Sequence, residues 1–276
     1  MKRILVPALL ALAALSPPGA GANGSPYSPG LLQGGEGVRS RDGLRFVTTF
    51  AGGEASLVAA VRGYRVVRVR MLRGLFAVPL VAYDGTAGGL SGDGRRLVLA
   101  SYGPPPGQRG STRFVVLDAR TLVARSRIEL RGSWSYDASS PDGKRLFLVE
   151  HLRGGASPRY RVRVFDLARG LRPGAVVDRL EGEAVMGGEP VTRATSPGGR
   201  WAYTLYARAG KGPFVHALDT ARTEAFCIDL PLELSRDEQW SLRLALFEGS
   251  LAVRKGDGGT TVAVVDTRSF EARTAR

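Results

Sequence analysis

Side chains able to do chemistry are few in this sequence and widely spaced. There is one cysteine, Cys227, and there are two histidines, His151 and His216. No Cys/His spacing matches a zinc ligand set, so no metal site is predicted from them. Cys227 lies in "AFCIDL" with no basic or His neighbour and reads as a small buried hydrophobe. Carboxylates are the remaining option. Four stretches each carry at least one: "AYDGTAG" (82–88) with Asp84, "RGSWSYDA" (131–138) with Asp137, "EGEAVMGGEP" (181–190) with Glu183 and Glu189, and "LSRDEQW" (234–240) with Asp237 and Glu238. Trp134, Tyr136 and Trp240 stand beside them. Two carboxyl groups held roughly 5–9 Å apart, one in an apolar setting, are what acid–base cleavage of a sugar or lactone needs. Asp137 and Glu183 are the catalytic candidates on that reading. A carboxylate ring with aromatic walls would instead bind a cationic ligand, a stacked sugar or Ca²⁺; no other cofactor is expected. The plain alternative is solvated loop acids beside tryptophans that pack between elements.

A second set is basic: Arg109, Arg153, Arg159, Arg208, Lys211 and Lys255. If they share a face they form a cationic rim, suited to an acidic protein or an anionic cell-envelope polymer. His151 lies two residues before Arg153. No Gly-x-Ser-x-Gly elbow, phosphate loop or dinucleotide fingerprint is present.

The elements that must position these residues come from a repeat. "RFVVLDART", "VRVFDLAR", "VHALDTART" and "VAVVDTRS" place Asp118, Asp166, Asp219 and Asp266 at spacings of 48, 53 and 47. A fifth copy, "YRVVRVRM", ends at Met71 without the aspartate. Positions four and two before the marker are apolar in all five copies and the one between tolerates any residue, the period of a strand with one buried face. "SGDGRRLVLAS", "SPDGKRLFLVE" and "SPGGRWAYTLY" add a turn-then-strand unit ahead of each. A feature present in every copy is structural, so Asp93, Asp142 and the marker aspartates are read as turn formers.

Four antiparallel strands every 40–50 residues predict β-propeller blades, with nearly no helix. "SPDGKRLFLVE" with "VRVFDLARG" downstream resembles the propeller repeats of the TolB-like and YVTN-type groups, broadly similar to WD repeats. The resemblance covers residues 44–276 and implies an all-β propeller, most simply of five blades at about 44–82, 83–131, 132–181, 182–232 and 233–276. The Gly-His and Trp-Asp pairs of WD repeats are absent. The resemblance implies binding roles of many kinds rather than one ligand.

Residues 1–22 read as a signal peptide: Lys2 and Arg3, the apolar run "ILVPALLALAAL", then Ala20-Gly21-Ala22. Residues 23–43 read as a flexible leader. The expected mature chain is exported, extracellular or in the cell envelope, and has no transmembrane segment. It carries 37 basic and 25 acidic residues, a net +12. Only four of the 39 basic residues in the full chain are lysine, and they are scattered rather than interleaved with aromatics, so nucleic acid is not the expected partner. The leading expectation is a non-catalytic module binding a protein or small extracellular ligand through its inter-blade loops. A propeller hydrolase or lyase is the alternative.

Overall fold

Apolar columns two residues apart and glycine-bearing turns make strands and hairpins wherever the repeat occurs. The structure is a computed structural model and describes residues 36–103, 108–153 and 158–275. It contains five antiparallel sheets in sequence order, the five blades of an all-β propeller. Blade one holds β1 (Val38–Arg39), β2 (Leu44–Phe50), β3 (Ala55–Arg62) and β4 (Arg65–Arg73). Blade two holds β5 (Phe76–Ala77), β6 (Arg96–Ser101), β7 (Ser111–Asp118) and β8 (Ala124–Arg131). Blade three holds β9 (Ser133–Ser139), β10 (Arg145–Leu152) and β11 (Arg159–Asp166), edged by the short β12 (Gly170–Leu171) and β13 (Met186–Gly187). Blade four holds β14 (Glu189–Thr195), β15 (Trp201–Ala207), β16 (Phe214–Asp219) and β17 (Glu224–Asp229). After the single described helix, α1 (Arg236–Trp240), blade five holds β18 (Leu242–Phe247), β19 (Ser250–Lys255), β20 (Thr261–Asp266) and β21 (Ala272–Thr274). The signal peptide and most of the leader lie outside the described residues. No helix among the described residues is long and apolar enough to cross a membrane.

The repeated aspartates cap turns. The Asp118 carboxylate accepts from the Thr121 amide, Asp166 from Ala168, Asp219 from Ala221 and Arg222, and Asp266 from Arg268 and Ser269. Four residues after each aspartate the chain takes a positive φ: Leu122 at 58°, Gly170 at 85°, Thr223 at 68° and Phe270 at 61°. Three of the four are not glycine, so the aspartate's hydrogen bonds and the packing of these side chains outweigh a strain of about 1–2 kcal/mol each.

Blade one departs from the sequence register. "YRVVRVRM" is not a third strand but β4, the outer edge, because β1 adds an inner strand and Phe76–Ala77 pairs into blade two. A strand that leads on to the next blade needs no Asp turn at its end, which accounts for the missing aspartate after Met71.

Hydrophobic clusters lie between successive blades. Phe46 and Val58 meet Leu97 and Leu99; Val98 and Phe114 meet Trp134 and Tyr136; Phe147 and Val164 meet Ala202 and Leu218; Leu205 and Val215 meet Leu242 and Val253. Each fully buried side chain of this size contributes about 1.5–3 kcal/mol. Among the described residues no such cluster joins blade five to blade one.

Candidate functional site

"RGSWSYDA" was expected as an inter-blade loop, and the structure makes most of it β9, the inner strand of blade three, buried along its whole length. The strand period decides the fate of its residues. Trp134 and Tyr136 turn into the apolar layer between blades two and three. The Trp134 indole N–H donates to the Arg131 carbonyl at 2.8 Å. Burial pushes the Tyr136 hydroxyl up to about 12. Both rings are packing residues. Asp137 falls at a β-bulge, where the pairing with β10 skips a residue, and is only 4% exposed. A bulge re-aims a side chain, here toward blade four.

Arg193 on β14 meets it there. Its Nη2 donates to the Asp137 carboxylate, its Nη1 to the Asp137 carbonyl at 2.5 Å, and its Nε to the Thr204 hydroxyl at 2.9 Å. Every edge of the guanidinium is engaged, and both ends of the pair are buried. Burial works against the Arg193 charge, and the Asp137 carboxylate outweighs it, so its pKa rises. A carboxylate held in this way is already neutralised by a fixed cation.

Asp84 lies elsewhere. Blade two's inner edge breaks after Ala77, and the chain runs on to Gly89 before it rejoins β6. On the way the amides of Tyr83 and Asp84 donate to the carbonyls of Pro190 and Val191 on β14, at 2.9 and 3.1 Å. The Tyr83 ring packs at a tilt of 42° against Trp240, with centroids 4.9 Å apart. The segment thus links blade two to the inner strand of blade four and to the helix before blade five. Asp84 accepts from the amide and hydroxyl of Thr86 and forms the turn of that segment. Val191 sits at the bulge of β14, which presents its carbonyl for this bond.

The remaining acids are dispersed. Asp137 lines a cavity of about 960 Å³, Asp84 one of about 620 Å³, and Glu183 and Glu189 one of about 520 Å³. Glu189 is bound by Arg236 at 2.7 Å. "LSRDEQW" is mostly helix rather than loop, closed by a capping box in which Ser235 and Glu238 satisfy each other's ends. Glu238 also pairs with Lys255 at 3.2 Å, and Asp237 sits in the first helical turn. Among the described residues no three His, Cys, Asp or Glu side chains cluster closely enough to hold a metal ion.

The basic set is divided in the same way. Arg109 is buried, donates to the Ser101 carbonyl at 3.1 Å, and is therefore not a rim residue. Arg153 reaches the Arg109 carbonyl at 3.5 Å. Arg208 pairs with Asp229 at 2.6 Å and lies over the Phe214 ring. Lys211 lines the same cavity as Glu183, and Arg159 is the exposed first residue of β11. His151 shares a 2.8 Å hydrogen bond with the Ser135 hydroxyl through Nε2, and burial, helped by Arg109, takes its pKa down to about 4. That is a Ser–His contact with no carboxylate in hydrogen-bond contact with the imidazole among the described residues.

Two features escaped the sequence reading. Arg193 stands in "EPVTRATS", an inner strand where an inward cation was the available signal. Asp178 leaves blade three between β12 and β13, bridges to Ala225, and accepts from the amides of Leu180, Glu181 and Cys227. Its stretch "VVDRLEG" carries no repeat signal.

No protein-family model matches the chain, and no curated protein does. Solved structures similar to it include a hydrazine synthase of Kuenenia stuttgartiensis, at 13% identity over 84% of this chain and 71% of that one, with a TM-score of 0.47. The Swd1 β-propeller domain of Myceliophteria thermophila is 12% identical over 90% of this chain and 73% of that one, with a TM-score of 0.49. A TolB structure from Agrobacterium tumefaciens is 14% identical over 90% of this chain and 79% of that one, with a TM-score of 0.45.

Proposed function

We propose that this propeller is a binding module that captures an extended, acidic segment of a partner polypeptide along β4. The observation that carries the reading is the exposure of that strand. Tyr64, Val66, Val67, Val69 and Met71 are five of the nine exposed large hydrophobic residues described. They alternate with Arg65, Arg68, Arg70 and Arg73. β4 pairs with β3 on one side and, among the described residues, has no strand on the other. An open edge takes up an extended chain through main-chain hydrogen bonds, and alternating side chains set what that chain must be. Here they ask for apolar residues on one face and carboxylates on the other. The arginines also repel a second copy of the same edge.

What supports binding over hydrolysis is the state of the acids: Asp137 is held by Arg193, and Glu183 lines a different cavity. On the reading of residues 1–22 as an export signal, the partner is met outside the cytoplasm. Fluorescence anisotropy with an alternating Glu–Val octapeptide tests the assignment. The wild-type chain binds it, Val69→Glu weakens binding at least tenfold, and so does N-methylation of the peptide backbone. Equal affinity for the N-methylated peptide, or binding of dextran sulfate with no response to the peptide, overturns strand capture. The second result would favour an anionic polymer.

A further inference from the structure

Turns and strand ends of four blades converge on the cavity of about 960 Å³. Blade one lends it residues 38–42, blade two 87–95 and 118–120, blade three 136–139 and blade four 195–199. The turns meet closely. A Cβ placed on Gly198 would lie 3.3 Å from the Arg41 guanidinium, so that side chain reaches from the first turn of blade one to the first turn of blade four.

The charges lining this cavity do not balance. Its acids are engaged. Asp42 accepts from the Ser40 hydroxyl and pairs with Arg62 at 3.3 Å. Asp118 pairs with Arg125 at 3.0 Å, and Asp137 pairs with Arg193. Asp93 accepts from the Ser91 hydroxyl and the Arg95 amide. The cations are not engaged. Among the described residues the guanidinium groups of Arg39, Arg41, Arg95 and Arg120, which all line the cavity, make no ion pair and no hydrogen bond. Arg68 of β4 lines it as well and is also without an ion pair among those residues. Like charges gathered on one concave surface raise its potential, and an anion relieves that repulsion.

We infer that this cavity binds a small polyanion of linked phosphate groups, an oligophosphate, held by Arg39, Arg41, Arg95 and Arg120. A guanidinium presents a planar fork of donors that matches phosphate oxygens two at a time. The arginines stand on two blades, so one isolated anion meets only some of them, whereas a chain with a charge on every unit meets several. A carboxylate offers fewer acceptor oxygens and less charge per group than a phosphate. Arg41, Arg95 and Arg120 are not among the loop cations of the sequence reading. They lie beside Asp42, Asp93 and Asp118 in the turns themselves, so the same turns that build the blades carry the free charge to the cavity.

The site goes beyond strand capture, and its test uses no peptide. Arg68 also serves β4 and is left in place, so failure here leaves that reading standing. The full chain is titrated with sodium tripolyphosphate by isothermal calorimetry at physiological salt. One equivalent binds per chain. Arg41→Gln and Arg120→Gln each lower the affinity about tenfold, the loss of one charge-assisted contact. Both side chains are exposed, so the variants stay folded. Arg273→Gln, in blade five and away from the cavity, removes the same charge and leaves the affinity unchanged. Absence of binding, full affinity in both Arg41→Gln and Arg120→Gln, or an equal loss in Arg273→Gln overturns the site. Equal affinity for tricarballylate, a tricarboxylate, overturns the choice of phosphate.

Discussion

Arg193 on the inner strand of blade four grips Asp137 on the inner strand of blade three by its carboxylate and its main-chain carbonyl together. The contact ties two blades at the channel wall, where the apolar layers between them end. It leaves Asp137, one of the two catalytic candidates of the sequence, paired with a fixed cation. Removing one partner leaves an uncompensated buried charge, which costs about 3–5 kcal/mol. Arg193→Met is therefore expected to destabilise the protein by about that much in urea unfolding. Adding Asp137→Asn should restore a large part of the loss. A double variant no better than Arg193→Met would show that the arginine acts through something other than this carboxylate.

His151 sets a pH dependence. Its pKa in the folded chain, about 4, lies below the ordinary 6.5 because of burial and Arg109. The unfolded chain therefore binds a proton that the folded chain refuses between pH 6.5 and 4. Stability is fully present above pH 6.5 and is lost as pH falls through that window. At pH 5 the loss from this group is about 2 kcal/mol. Urea unfolding of wild type and His151→Gln at pH 7 and pH 5 should show the wild type losing more by that amount. Equal losses would assign the acid sensitivity to other groups.

Gly92 tests a contact between blades two and four. A Cβ placed on it would lie 1.8 Å from the carbonyl oxygen of Gly198, so the inner turns of blades two and four touch backbone to backbone. Gly92→Ala has no flexible side chain to displace and should cost about 1–3 kcal/mol, as overpacking does. Gly94, two residues on, faces open space but holds φ at 70°. Gly94→Ala should cost only about 1 kcal/mol, through conformation alone. Thermal unfolding that ranked the two the other way would count against the contact between blades.

These sites show where the sequence could be read and where it could not. The Asp turns and alternating columns are local, so blades two to five follow from a few residues each. The register of blade one depends on a partner strand far away in sequence, and the missing aspartate at Met71 was the one local trace of it. "RGSWSYDA" holds two aromatics, a serine pair and an acid, a composition that fits a loop as well as a buried strand. Only the facing Arg193 decides between them. "LSRDEQW" was read as a loop although it holds Ser-x-x-Glu, which is a helix start by itself, and the Ser235–Glu238 capping box forms there. The contact of Cys227 with Met186 was not legible, because Met186 comes from β13, at the edge of another blade.

The exposed strand β4 makes a prediction that separates function from stability. Val69 is 52% and Met71 64% exposed, so neither contributes much to the core. Val69→Lys and Met71→Lys should change stability by no more than about 0.5 kcal/mol, the range of ordinary surface substitutions. The same changes remove the apolar face that a captured strand would cover, so peptide affinity should fall at least tenfold. Raising salt from low to physiological concentration should weaken the wild-type complex further, because the arginine contacts are exposed and screened. Anisotropy titrations at two salt concentrations, beside urea unfolding of each variant, measure both quantities. Variants that bind as the wild type does would move the docking surface off β4, whereas variants that unfold would show that the strand is covered and stabilising in the free protein.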